Sequence, residues 1–178
     1  MIQNSGNAIR SAHRQDPESA RQLLDANRSL NEQLLAAVAD SDEIRQAGFM
    51  HDAQKEYAEA CITFALIQGS ALPEAADVGV PMPAYLNGLG EAVGELRRFI
   101  LDSLRRGDTS RCEMLLDTMD DIYGILMAMD YPDTVTHGLR RNSDSARGLI
   151  ERTRGDLTNA LRQDALEARL AAFERRIC

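Results

Sequence analysis

The sequence lacks tryptophan, and aromatic residues make up only 4% of its 178 positions. Rings on which nucleobases could stack are therefore scarce. Five prolines and twelve glycines argue against a turn-rich β fold, whereas the many Ala, Leu, Arg and Glu residues favour helices. No apolar run approaches the roughly 20 residues that a membrane-spanning helix needs. We expect a helical protein that does not cross a membrane.

Cysteine is scarce as well. Cys61, Cys112 and Cys178 are odd in number and have no metal-binding spacing. The sequence also shows no signal peptide. Together these features predict a soluble protein of the reducing cytoplasm.

Acidic residues outnumber basic ones by 28 to 20, which gives a net charge of −8. Coating of duplex DNA is thereby disfavoured, because neutralising phosphates normally requires a basic surface. Every basic residue except Lys55 is Arg. Arginine suits bidentate phosphate contacts and interface ion pairs, although a biased genomic base composition explains the same preference.

Apolar residues recur at spacings of three and four along most of the chain, a pattern typical of amphipathic helices. Asp16 and Pro17 predict a capped helix start, Gly69 predicts a helix end, and residues 70–83 are predicted to form a loop. Ser41-Asp42 predicts a helix start that Gly48 interrupts, and Gly107-Asp108 predicts a turn that caps the next helix. We predict an all-α bundle of about six to seven helices, without strands, as a single domain over residues 1–178.

Three apolar stripes are predicted to face the core of this bundle. The stripe of the second helix is Leu23, Leu24, Leu30, Leu34, Leu35 and Val38. The stripe of the central helix is Leu86, Leu89, Val93, Leu96 and Ile100. The stripe of the following helix is Leu115, Met119, Ile122, Leu126 and Met129.

Two acidic pairs are candidates for metal chemistry. Glu56 and Glu59 are three residues apart, and Glu91 and Glu95 are four apart, so each pair lies on one face of its helix. Four carboxylates on two facing helices would form the hard-oxygen site that Mg²⁺ or Mn²⁺ accepts. Such an ion can activate water and neutralise a scissile phosphate. The alternative is a solvated face with ordinary ion pairs, but the apolar run at residues 60–67 predicts a buried helix whose edge acids need a partner.

Other polar residues give weaker signals. Arginine pairs at residues 97–98, 105–106 and 140–141 could hold phosphates or belong to a mixed-charge surface. His13, His51 and His137 show no Glu-x-x-His pairing, which disfavours a di-iron bundle. The glycines at 88, 90 and 94 do not fit a dinucleotide fingerprint and favour a close approach of two helices.

The segment Tyr85–Arg98, YLNGLGEAVGELRR, resembles the central helix of the translin family. Similarity continues in order along nearly the whole chain. The other matching segments are Ala8–Arg14, Gly107–Asp108, Ile122–Leu126, Val135–Arg141 and Ala146–Glu151.

Within this family the chain is most similar to compact, archaeal-type members of the Trax (translin-associated factor X) branch. The resemblance implies a Mg²⁺-dependent endoribonuclease, with Mn²⁺ as an alternative ion. Glu56, Glu59 and Glu95 match acidic positions of the Trax site, and Glu91 stands where the branch usually has Asp. The extra methylene of Glu91 can shift the metal geometry.

The resemblance also implies a hollow homo-oligomer, an octamer, that holds single-stranded RNA or single-stranded DNA inside. A second translin-family subunit is an alternative partner. Arginines facing the interior would reconcile RNA binding with the acidic total. The candidate nucleic-acid contacts are Arg97, Arg98, Arg105, Arg140 and Arg141.

Three functions are compatible with these observations. The leading hypothesis is a Trax-like endoribonuclease that cleaves single-stranded RNA. The second is a translin-like protein that binds single-stranded nucleic acid without cutting it. The third is a structural helical oligomer without a nucleic-acid role, which would show no salt-sensitive RNA binding.

Overall fold

A computed structural model describes residues 1–45 and 47–177. Within these ranges the chain forms nine helices and no strands, which confirms the predicted all-α fold. Six helices are long and three are single turns. The helices are α1 (Ile2–His13), α2 (Pro17–Ala37), α3 (Asp42–Arg45), α4 (Gly48–Gln68), α5 (Ala75–Val78), α6 (Met82–Arg105), α7 (Cys112–Met127), α8 (Asp133–Thr136) and α9 (Leu139–Ile177).

Several predicted helix ends are confirmed. The Asp16 carboxylate accepts a hydrogen bond from the Ser19 amide at the start of α2, and Pro17 occupies the first helical position. Gly69 ends α4 in the left-handed conformation, with φ of 77°, which a glycine adopts without steric cost.

The predicted helix start at Ser41-Asp42 and the interruption at Gly48 are confirmed, whereas the predicted cap at Asp108 is wrong. The helix that begins at Asp42 ends after one turn, and α4 begins anew at Gly48. Asp108 does not cap α7. Its carboxylate accepts hydrogen bonds from Ser110 within the preceding turn, and α7 begins only at Cys112.

The central element of the bundle is α6, which packs against α4, α7 and α9, while α1 packs against α2 and α4. The predicted stripe of α6 is buried at all five positions. In α7 the first four stripe positions are buried, and Met129, which lies two residues beyond the end of α7, is half-buried. The apolar run of α4 is also largely buried, as predicted, because α4 lies between α1 and α6.

The predicted stripe of α2 is only partly correct. Leu24 and Val38 are buried, but Leu30 is exposed. Two asparagines take the inner positions instead, because their amides bind backbone groups of neighbouring segments. Asn27 donates to the Met1 carbonyl and to Ser5, and Asn31 donates to the Gly79 carbonyl. These partners satisfy the amide nitrogens of both side chains, so polar residues replace leucine on this face, although Asn27 Oδ1 has no hydrogen-bond partner within the described residues.

The C-terminal half of α9 extends beyond the core. Residues 162–176 are all exposed, and they include the apolar side chains of Leu166, Leu170 and Phe173. Elsewhere, Cys61 and Cys112 are free thiols, while Cys178 lies outside the described residues. No helix in the described part of the chain is long and apolar enough to cross a membrane.

Candidate metal centre

The candidate site lies where α4 and α6 cross, and Gly88 sets the distance between the two helices. A Cβ atom at Gly88 would lie 2.7 Å from the Lys55 carbonyl oxygen and 2.8 Å from the Glu59 amide nitrogen. Only glycine permits so close an approach, because these contacts are with backbone. Glu91 follows Gly88 by three residues, about one helical turn, and is thereby placed against the acidic turn of α4. The predicted close approach through glycine is confirmed.

Three of the four predicted carboxylates converge at this crossing. One carboxylate oxygen each from Glu56, Glu59 and Glu91 lies within 4.8 Å of the others, and all three residues are half-buried. We call these three residues the carboxylate cluster. Its oxygens are the hard donors that Mg²⁺ and Mn²⁺ prefer, and the donor set therefore fits a divalent cation.

The pKa of Glu59 shows how crowded this negative charge is. Burial, followed by the charges of Glu91, Glu56 and Glu95, raises it from 4.5 to about 8 against the opposing charge of Lys55. Without a cation, Glu59 is therefore mostly protonated at neutral pH. A divalent ion among these oxygens would offset the repulsion and favour the ionised carboxylate.

Lys55 supplies the one ammonium group near the cluster. Its Nζ donates to Glu91 Oε1 at 2.8 Å, and its side chain is 19% exposed. Burial lowers the pKa of Lys55, but the hydrogen bond and charge of Glu91, with Glu56 and Asp52, outweigh this effect and raise it. Lys55 thus neutralises Glu91, although the sequence offered no signal for that role beyond its being the single lysine.

Glu95, the fourth predicted carboxylate, is held outside the cluster. His13 Nε2–H donates to Glu95 Oε2 at 2.5 Å, and Arg98 donates to the same oxygen at 3.5 Å. These partners, His13 foremost, lower the pKa of Glu95. The His13 side chain is only 5% exposed, and its Nδ1 has no hydrogen-bond partner within the described residues.

Sequence reasoning missed His13 because α1 is far from α6 in the chain. The sequence carries one faint signal. His13 is adjacent to Ala12 and four residues after Ile9, so helical spacing places it beside the apolar positions of α1 that are buried. It missed a second contact as well. The rings of His51 and His137 stack with centroids 4.2 Å apart and planes at 17°, although the three histidines are scattered in the sequence.

The predicted arginine contacts fall into two groups. Arg97 donates to Thr153 and Asp156 of α9, Arg98 to Glu95, and Arg105 to Asp102, so these three guanidinium groups join ion pairs. Arg140 and Arg141 are exposed at the start of α9. Their role in nucleic-acid binding stays a prediction.

Comparison with known proteins places this geometry in context. The chain is 36% identical to the solved structure of AfC3PO in a complex with duplex RNA, with a TM-score of 0.83, covering 89% of this chain and 82% of that one. A crystal structure of AfC3PO matches at 36% identity and a TM-score of 0.81, over 88% of this chain and 82% of that one. Apo-NeC3PO shares the fold at 20% identity and a TM-score of 0.80, over 89% and 83% of the two chains.

A curated relative is the uncharacterized protein MJ0175 of Methanocaldococcus jannaschii, 29% identical over 124 residues. The match covers 69% of this chain and 55% of that protein, so the chain spans about half the length of this relative. No family model matches the chain. The fold is that of the all-helical C3PO proteins. Identity of 36% across four-fifths of AfC3PO shows more than a shared fold, and the chain belongs to the translin/C3PO family.

Proposed function

We propose that the protein is a Trax-like, Mg²⁺-dependent endoribonuclease. The observation that carries this proposal is the convergence of Glu56, Glu59 and Glu91 within 4.8 Å at the crossing of α4 and α6. The raised pKa of Glu59 supports it, because crowded and half-buried acids are typical of functional sites. Mn²⁺ would satisfy the same oxygens.

The residues of the site take different roles in this proposal. Glu56, Glu59 and Glu91 hold the divalent cation, which when bound supplies the charge that neutralises the scissile phosphate and activates water. Lys55 binds Glu91 and keeps one positive charge beside the reacting phosphate. The predicted ligand Glu95 is engaged by His13 and Arg98, so it acts from outside the three ligands by orienting water.

The proposed substrate is single-stranded RNA. RNA is supported by family membership, since AfC3PO has been solved with duplex RNA, together with a site suited to phosphodiester chemistry. The single strand rests on the resemblance to the Trax branch. Single-stranded DNA is the alternative ligand. A hollow homo-oligomer, which we take to be an octamer, or a mixed assembly with a second family subunit, would enclose the RNA. The exposed apolar residues of α9 are suited to such contacts between subunits.

Cleavage of a labelled RNA oligonucleotide tests the proposal, with single-stranded and duplex forms compared in Mg²⁺, Mn²⁺ and EDTA. Glu56→Gln and Glu59→Gln should each lower the cleavage rate by at least about a hundredfold, because each removes a charged ligand. The matched control is Glu151→Gln, an exposed glutamate of α9 that lies outside the cluster. Full activity of either cluster variant, or of wild type in EDTA, would overturn the assignment.

A non-catalytic RNA-binding protein is the second candidate, and one observation favours it. Lys55 already neutralises Glu91 and His13 already engages Glu95, so two of the four predicted ligands have partners without a metal ion. In that case wild type and the glutamate variants would bind RNA equally and none would cut it.

A further inference from the structure

A polar pocket of about 560 Å³ lies beside the carboxylate cluster. α4 contributes His51 and Lys55, α6 contributes Glu91, and α9 contributes Arg141. Lys55 and Glu91 form the boundary between the pocket and the cluster, so a group in the pocket is adjacent to the proposed reaction centre. The volume lies within the range of about 300–1,000 Å³ that is usual for small-molecule sites.

The most distinctive feature of this pocket is the stacked pair His51–His137. His51, in the first turn of α4, is half-buried, and His137, which follows α8, is exposed. One face of the His137 ring lies against His51, and both residues line the pocket. Burial and the neighbouring His137 lower the pKa of His51, with Lys55 acting in the same direction and Asp52 opposing it, which favours a neutral stacking ring.

A partly buried hydrogen-bond network holds Thr136, the residue before His137. The φ of His137, 53°, is in the left-handed region, which is uncommon for a residue other than glycine. Asn87 is buried and donates to the Thr136 carbonyl at 2.7 Å, while Asn142 donates to Asn87 Oδ1 at 2.9 Å. A residue kept in an unfavourable conformation next to such a network is a candidate for a role beyond folding.

The charged side chains that line the pocket do not form a simple anion site. Lys55 and Arg141 are balanced by Asp52 and Glu91. Lys55 is engaged by Glu91, whereas Arg141 is exposed and available to a phosphate. A ring stack together with one available guanidinium is suited to a ligand that has both a flat base and a phosphate, and histidine is among the side chains on which unpaired bases stack.

We propose that this pocket binds one unpaired nucleotide of the RNA, beside the phosphate at the carboxylate cluster. The base stacks on the His51–His137 pair and the phosphate contacts Arg141. The proposal rests on the proposed function, because it assigns the neighbouring nucleotide of the same substrate. It also explains how a chain without tryptophan offers a base-stacking surface next to its reaction centre.

Histidine NMR tests the pocket without any cleavage. The chain has three histidines, so labelling of histidine with ¹³C at Cε1 gives one ring signal for each. Adenosine monophosphate, titrated in EDTA, should shift the signals of His51 and His137 and leave the buried His13 unchanged. His51→Gln and His137→Gln assign the signals. No shift of either stacked ring, or equal shifts of all three, would overturn the proposal.

RNA with a single abasic position tests the stacking itself, by fluorescence anisotropy in EDTA. At one position the missing base should weaken wild-type binding by about 5- to 150-fold, the range typical of one stacked base. His137→Phe should retain this penalty and His137→Ala should lose it. Tyr131→Ala, which removes an exposed ring outside the pocket, is the matched control and should retain it. A penalty that survives His137→Ala contradicts the stacking role.

The two proposals fail separately. RNA cleavage that depends on Glu56 and Glu59 but shows no abasic penalty at any position would overturn the nucleotide pocket and leave the nuclease intact. Shifts of both stacked histidines in a protein that cuts no RNA would support the pocket and refute the nuclease.

Discussion

Glu59 and Glu95 have identical side chains and lie on helices that pack against each other, but the surroundings of their carboxylates differ. Glu59 lies among other acids, and burial together with Glu91 and Glu56 raises its pKa to about 8. Glu95 accepts hydrogen bonds from His13 and Arg98, and these lower its pKa. Burial and the neighbouring acids disfavour ionisation of Glu59, whereas hydrogen bonds stabilise Glu95 as an anion.

This difference separates two kinds of acidic residue that look alike in a sequence. Glu95 has its partners within the chain, so the fold stabilises its charge. Within the described residues Glu59 has no such hydrogen-bond partner, and only the charge of Lys55 opposes the rise in its pKa, so ionisation of Glu59 destabilises the fold. Residues that weaken a fold are common at functional sites, because function constrains them independently of stability.

The most direct way to abolish the difference in pKa between Glu59 and Glu95 is to move α4 away from α6. Gly88→Ala places a Cβ 2.7 Å from the Lys55 carbonyl oxygen, and backbone cannot move aside cheaply. We expect a loss of about 3 kcal/mol or more in the free energy of unfolding, measured by urea denaturation. Gly124→Ala is the control, because nothing lies within 4 Å of its new Cβ, and helix propensity should stabilise it by up to about 1 kcal/mol. Equal stabilities would refute the tight crossing.

Removing the charge of Glu59 should have the next largest effect. Its folded pKa of about 8 lies above the ordinary 4.5, so the folded state retains a proton that the unfolded state releases. In EDTA the stability of wild type should therefore fall as pH rises from about 4.5 to about 8, and then level off. Glu59→Gln should remove this fall and be more stable at pH 8, by on the order of 3 kcal/mol.

Urea denaturation from about pH 5 to pH 9 measures this dependence. Glu151→Gln, at an exposed position of α9, is the control and should follow wild type. A Glu59→Gln variant whose stability falls as steeply as that of wild type would show that Glu59 is not the titrating group.

The sequence predicted much of the fold, because its signals are local. The stripe of α6, the cap at Asp16 and the helix end at Gly69 depend on residues close together in the chain. The errors have non-local causes. Leu30 is exposed because Asn27 and Asn31 find backbone partners on other segments, which no periodicity in α2 reveals.

The candidate site was predictable to the extent that its residues share a helix. Spacing placed Glu56 with Glu59 on one face, and the hypothesis of two facing helices, which the family resemblance supports, combined Glu91 with them. Spacing also grouped Glu95 with Glu91. In the structure, however, Glu95 forms a hydrogen bond with His13 of α1, which is 82 positions away in the chain. Contacts between distant helices depend on how the bundle packs, and local patterns do not encode that.

The smallest expected effect concerns Glu95, the carboxylate that His13 and Arg98 stabilise. His13→Leu keeps a large apolar side chain and removes the donor to Glu95, so the pKa of Glu95 should rise toward its ordinary value. Because a lowered pKa stabilises the fold only while the carboxylate is ionised, the loss, about 1–2 kcal/mol at neutral pH, should shrink as pH falls below about 4.5. His13→Gln, whose amide can still donate, should recover part of it. Urea denaturation at several pH values measures each variant, and a loss independent of pH would show that His13 stabilises the protein by packing alone.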